Sequence, residues 1–197
     1  MIQEKQIERE QVFIIGVKCN SVSEDGKNLS PKCYSCKLQT PKMYDILVGE
    51  EEEKNIEFKN PFSDVEEFEK KSLDERWNFW MNELEKCVKC YACRQVCPLC
   101  YCEKCIVDKT VPRWIEPHTS KSSNLSWHIT RAFHLAGRCT GCGECERACH
   151  HNIPLSLLNK KMAKVVYDNF NYQAGLDDKA KSPLADFKFQ DKEDFIR

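Results

Sequence analysis

The sequence predicts a mainly α fold with a small α/β segment at the N-terminus. Three observations carry this. Apolar residues recur at three-to-four-residue steps in three stretches after residue 63, the two strand-like apolar runs both lie before residue 50, and each of the two densest cysteine runs follows directly on a helical stretch. The 197 residues accordingly divide into a small α/β segment (1–60), a helical domain (61–174) and an extended tail (175–197).

The opening ten residues are polar and read as a short helix. Residues 12–17, Val-Phe-Ile-Ile-Gly-Val, read as a buried strand and lead into a loop rich in Ser, Gly, Asn and Pro at 20–32. Residues 44–48, Tyr-Asp-Ile-Leu-Val, make a second apolar stretch, stopped by Gly49 and an acidic run from Glu50 to Glu53. A piece this small buries no core of its own, so it leans on the rest of the chain or on a partner. From Asp64, the spacing of Val65, Phe68, Leu73, Trp77, Trp80, Met81 and Leu84 predicts one helix, with Ser63 or Asp64 as N-cap, that delivers the chain to Cys87. An irregular stretch with Pro112 and Pro117 follows. Leu125, Trp127, Ile129, Phe133 and Leu135 then mark a second helix, ended by Gly137, that leads to Cys139. A third begins at Pro154, with Leu155, Leu158, Met162, Val165 and Val166 on one face and Lys160, Lys161 and Lys164 on a solvated one. After Gly175 the periodicity stops, and the aromatic and charged residues around Phe187, Phe189 and Asp194 to Arg197 are left to disorder or to a neighbouring subunit.

Composition narrows the function. With 30 Lys plus Arg against 31 Asp plus Glu, the chain lacks the basic excess of a nucleic-acid binder. A mean hydropathy of -0.61 and an apolar run no longer than residues 12–17 argue against membrane insertion. Charges among the first ten residues leave no room for an apolar signal core, so the expected location is cytoplasmic. In that reducing compartment disulfides do not persist, and 14 Cys point to metal or redox chemistry. The cysteine-rich part is also the basic part: residues 64–85 hold eight carboxylates against three bases, residues 86–113 six bases against two.

Two runs dominate, Cys87-x2-Cys90-x2-Cys93-x3-Cys97-Pro98 and Cys139-x2-Cys142-x2-Cys145-x3-Cys149. A cubane [4Fe-4S] cluster needs four thiolates at tetrahedral corners; three closely spaced cysteines reach three irons and the fourth ligand comes from elsewhere. Zinc also takes four thiolates, but its sites use cysteine pairs separated by a longer loop, and three cysteines at successive x2 spacing crowd a single ion. A thioredoxin-type dithiol needs one pair beside a βαβ unit, not two sets of four.

At these residues the chain resembles the α-helical dicluster ferredoxins of electron-transfer subunits in anaerobic oxidoreductases, including hydrogenase, formate dehydrogenase and heterodisulfide-reductase complexes. The likeness covers roughly residues 64–170. The 41 residues between Cys97 and Cys139, with a helix among them, fit this two-cluster scaffold better than the small βαββαβ ferredoxin. The resemblance implies crossed ligation, one [4Fe-4S] cluster on Cys87, Cys90, Cys93 and Cys149 and the other on Cys139, Cys142, Cys145 and Cys97. His150 stands where the family carries Pro after the fourth cysteine, a departure that bears on the local turn. A second likeness lies in Gly16-Val17-Lys18-Cys19, Lys32-Cys33-Tyr34-Ser35-Cys36 and residues 44–49, which are similar to a segment of deazaflavin-dependent hydrogenase and dehydrogenase beta subunits. It implies that these cysteines belong to an iron-sulfur centre. The activity does not carry over with them, because the flavin-binding portion of that family is missing from this sequence.

Six cysteines remain: Cys19, Cys33, Cys36, Cys100, Cys102 and Cys105. The first three plus one of the last three make a third [4Fe-4S] cluster, whose binding would also order the small α/β segment. Free buried thiols or a zinc site are the other readings, and the spacing does not choose the fourth ligand. Lys86, Lys89, Arg94, Arg138 and Arg147 flank ligands and favour the reduced state. Gly141 and Gly143 let the second loop wrap sulfur closely where the first has Tyr91 and Ala92, so the two clusters are expected to differ in potential. His118, His128, His134, His150 and His151 read as packing or hydrogen-bonding residues, and Trp77, Trp80 and Trp127 as core.

No nucleotide-binding glycine loop, Ser/His/Asp set or informative carboxylate pair appears, and all eight ferredoxin positions are cysteine, which leaves no vacant iron for bond chemistry. The expected role is therefore that of an electron-transfer subunit between a flavin-, nickel- or molybdenum/tungsten-bearing partner and another acceptor. A freestanding dicluster ferredoxin and an iron-sulfur sensor or binding module are the alternatives.

Overall fold

The computed structural model describes residues 6–23, 28–36, 38, 40–50, 57–177, 179–183, 187 and 189–190. The first five residues, Glu51 to Glu53 of the acidic run, and Asp194 to Arg197 of the tail lie outside them. The described chain is mostly helical, as expected: α1 (Ser63–Glu69), α2 (Leu73–Glu85), α3 (Ala92–Gln95), α4 (Lys121–His134), α5 (Glu144–Arg147) and α6 (Leu155–Phe170). Two short strands, β1 (Ile15–Val17) and β2 (Ile46–Val48), pair in parallel with Ile15 opposite Ile46 and Val17 opposite Val48. Among the described residues no helix is long and apolar enough to cross a membrane.

The first strand is shorter and less buried than its composition predicts. Only Gly16 is buried, while Ile15 and Val17 are each 61% exposed and Ile46 and Val48 point out beside them. A parallel sheet normally has both faces covered. Two strands of three residues give this one too little area to do so.

The single helix expected from Asp64 is two. Ser72 opens α2 with a capping box: its hydroxyl accepts from Glu75 N–H at 3.2 Å, and the Glu75 carboxylate accepts from Ser72 N–H at 2.8 Å. The N-cap of α1 is Phe62, without a side-chain cap, so neither Ser63 nor Asp64 plays that part. Asp64 instead meets Lys160 at 2.6 Å, and Lys161 pairs with Glu69. The lysine face of α6 is thus a set of ion pairs to α1 rather than a solvated surface. Each partly exposed pair contributes about 0 to 1 kcal/mol.

The main core joins Leu84, Ile153 and Leu155 to Cys93 and Cys145, with Trp80, Leu125, Cys87 and Cys149 packed against it. Both cysteine loops therefore close on one apolar centre, between α2, α4 and α6. Trp127 is buried at 2% exposure, as its helix face predicts, but Trp77 is 56% exposed. Periodicity marks a stripe without saying how far along it a neighbouring helix reaches.

Candidate metal centre

The first cysteine loop, residues 87–97, is docked along one face of α4. Ser123, Asn124, Trp127 and Arg131 are all buried, and the last three fall at i, i+3 and i+7 of the helix. Asn124 Nδ2 donates to the carbonyls of Leu84 at 3.0 Å and Cys87 at 2.8 Å. Lys89 Nζ donates to Ser123 Oγ, to the Glu116 carbonyl and, at 3.0 Å, to the His118 carbonyl. The Tyr91 ring meets Trp127 edge-on at 5.3 Å, and Arg131 Nη2 donates to the Cys93 carbonyl at 2.9 Å. One face of the helix thus holds the alternate loop residues Cys87, Lys89, Tyr91 and Cys93.

The second loop, residues 139–149, repeats the backbone of the first. Lys89 and Tyr91 take φ of 54° and 59°; the equivalent Gly141 and Gly143 take 75° and 79°. Each loop then makes a four-residue helix, α3 or α5, that buries its third cysteine, Cys93 or Cys145. The N–H two residues on bonds the first thiol in both loops, Lys89 N–H to Cys87 Sγ at 3.4 Å and Gly141 N–H to Cys139. After the fourth cysteine the turn is also shared, with Cys100 N–H on the Cys97 carbonyl at 3.1 Å and Asn152 N–H on that of Cys149 at 3.0 Å. His150 therefore supports the same turn as Pro98. The second loop is held by α6: Asn159 Nδ2 lies 3.5 Å from Cys145 Sγ, and Glu146 accepts from Ser156 N–H at 2.9 Å.

Cys149 is among the thiols around Cys87 and Cys93, Cys97 is among those around Cys139 and Cys145, and the Cys97 and Cys100 thiols hydrogen-bond each other. Burial raises the Cys87 pKa, and Cys149 and Cys90 are the like-charged thiols that raise it further. Burial pushes Cys93 up to about 11, opposed by Arg131 and assisted by Cys145, Cys87 and Cys149. Burial also raises Cys139 and Cys145, and the thiols that add to it are Cys142 and Cys97 in both cases, with Cys145 itself acting on Cys139. Cys97 moreover shares one recess with Cys139, Cys142 and Cys145. A Cβ built on Gly141 or Gly143 would meet nothing within 4 Å. Among the described residues no three His, Cys, Asp or Glu side chains converge on a point that could hold one ion. The residues fit iron-sulfur clusters.

No family model matches the chain. It is similar to F420-dependent formate dehydrogenase beta subunits. The beta subunit of Methanocaldococcus jannaschii is 28% identical over 204 residues, covering 82% of this chain and 53% of that one. The formate dehydrogenase 1 beta subunit of Methanococcus maripaludis is 30% identical over 122 residues, 60% of this chain and 31% of that one. The chain thus spans about half the length, or less, of these curated relatives.

Beyond the eight motif cysteines, the remaining six lie in two places. Cys100, Cys102 and Cys105 line a cavity of about 250 Å³ together with Arg94, Arg131 and Arg138, and none of Cys19, Cys33 and Cys36 is on its wall. In the α/β segment Cys33 is buried, its Sγ 3.3 Å from Val22 N–H, while Cys36 is exposed.

Among the cations that flank ligands, Arg94 donates to both oxygens of Asp108 at 3.0 and 2.9 Å, Lys86 pairs with Glu83 and Arg147 with Glu144. Arg131 carries more weight, and no sequence neighbour marks it. It is 4% exposed, its Nε has no hydrogen-bond partner, and Cys93, Cys100, Cys145 and Cys97 are the thiols around it. His128, one turn before it, is buried as a packing residue, and desolvation, then Arg131 and Lys89, push its pKa down to about 4. A buried Arg that recurs on the same helix stripe as Asn124 and Trp127 was the available signal; the apolar stripe hides it because periodicity scores only apolar residues.

Proposed function

We propose that this chain is an iron-sulfur electron-transfer subunit of a multisubunit oxidoreductase of the formate dehydrogenase type. Two [4Fe-4S] clusters would be held with crossed ligands, Cys87, Cys90, Cys93 and Cys149 in one and Cys139, Cys142, Cys145 and Cys97 in the other. The observation that supports this reading is that Cys149 lies among the thiols around Cys87 and Cys93, and Cys97 in one recess with Cys139, Cys142 and Cys145, as crossed ligands would. The names of the relatives support a partner that oxidises formate and an F420 acceptor.

When bound, such clusters supply one-electron carriers. The residues of this chain do the rest. Lys89 and Arg131 place buried positive charge beside the thiolates and so favour the reduced state. Lys89 N–H and Gly141 N–H donate to sulfur, and the core of Leu84, Ile153 and Leu155 keeps water from the inner cysteines.

Anaerobic purification of the full chain, with iron, acid-labile sulfide and visible absorption measured, tests the reading. Brown protein that bleaches with dithionite, carrying at least about eight iron, is expected. A colourless protein that holds zinc and no labile sulfide would overturn it. Native co-purification with a formate-oxidising subunit identifies the partner.

A further inference from the structure

We propose that Cys100, Cys102 and Cys105 form a third iron-sulfur site of their own, within the helical domain and independent of Cys19, Cys33 and Cys36. All three line one cavity of about 250 Å³, and the N-terminal trio contributes nothing to its wall. Cys97, whose thiol hydrogen-bonds that of Cys100, is not on this wall but lines the neighbouring recess with Cys139, Cys142 and Cys145. Residues 100–105 adopt no helix or strand, so no regular repeat fans the thiols of this Cys-x-Cys-x2-Cys segment to opposite sides.

The second observation is Arg131. Its side chain is buried and lines this cavity, with Nε unpartnered, and Cys100 is one of the thiols that surround it. A buried guanidinium needs negative charge close by, and thiolates on a cluster supply it. Three cysteines leave one iron without a thiolate. That iron would face the cavity, where Glu103, His134 and the Arg94-paired Asp108 are the lining groups able to bind it. This site rests on the reading that the eight motif cysteines hold two clusters, because Cys97 is otherwise available to it.

Two variants of the full chain, purified anaerobically, separate the possibilities by their iron and labile sulfide. In one, Cys100, Cys102 and Cys105 are all replaced by Ala; in the other, Cys19, Cys33 and Cys36 are. Loss of about four iron from the first variant is expected, with the second either unchanged or losing a further four that add in the combined variant. If the first variant keeps all its iron, or if each loses four and the combination loses no more, the proposal is overturned; the latter result would mean one cluster shared between the two trios. Should the triple variant not fold, the single change Cys102→Ser at an exposed thiol serves: iron loss or an altered paramagnetic spectrum of one centre supports the site, and an unchanged spectrum overturns it. Wild-type protein without iron would overturn the broader reading, and is told apart from these outcomes at once.

Discussion

The two cysteine loops have the same backbone and opposite ways of keeping it. The second uses Gly141 and Gly143 where φ is positive, and the first uses Lys89 and Tyr91 at the same two places. An L residue in the left-handed region costs about 1 to 2 kcal/mol. The first loop offsets that cost with side chains the second lacks: the Lys89 ammonium on three oxygens, and the Tyr91 ring against Trp127 with Arg94 over its other side at 5.2 Å. One loop is relaxed and held lightly from α6, and the other is strained and clamped to α4. The same ligand geometry does not imply the same stability or the same electrostatic surroundings.

The comparison breaks first at the fourth cysteines. If the loops exchange them, Cys149→Ala should give the same paramagnetic spectrum and iron loss of about four as Cys90→Ala, and Cys97→Ala the same as Cys142→Ala. Matching Cys149→Ala with Cys142→Ala instead would show each loop keeping its own ligand. Next comes the clamp. Lys89→Met strips the partner from two carbonyls and Ser123, and should cost about 3 to 4 kcal/mol in denaturant unfolding of the holoprotein. A redox titration of the same variant should show the potential of the first cluster falling while the second stays within error.

Acid sharpens the contrast further, because His128 lies on the α4 wall behind the first loop. Its folded pKa of about 4 sits below the ordinary 6.5, so its contribution is whole above pH 6.5 and is lost as pH falls towards 4, where the unfolded chain takes up the proton first. The loss amounts to about 3 kcal/mol at most. Unfolding curves at pH 7 and pH 4.5 should differ less for His128→Gln than for wild type; equal differences would assign the acid sensitivity elsewhere. The smallest effect is expected in the relaxed loop, where Gly143→Ala introduces the strain that Tyr91 already bears, for about 1 kcal/mol, with no clash to add to it. A larger cost would mean that the space beside Gly143 is occupied in the holoprotein.

Much of this was legible in the residues alone. The mainly helical class, the approach of a helix to each cysteine run and the start of α6 at Pro154 all follow from local spacing. The break before Ser72 was also written there, as Ser-x-x-Glu, and is masked only because the apolar stripe runs on across it. What spacing does not carry is which polar groups turn inward. The α6 lysines meet carboxylates more than 90 residues away, Arg131 is buried under the first cysteine loop and Lys89 against residues 116–123, which is a matter of tertiary contact. The left-handed turn at Lys89 and Tyr91 becomes visible when the two loops are laid side by side and the glycines of one mark the special angles of the other. The strands face outward for a similar reason, since β-branched residues predict a strand and not what lies against it.

Because α4 fastens the first loop at Asn124, Trp127 and Arg131 and then runs on to begin the second, it works as a ruler between them. Electrons cross protein by tunnelling, at rates that decay exponentially with the gap. With the two proposed clusters in place, a helix that holds the first loop and leads within four residues to the second would keep that gap from breathing.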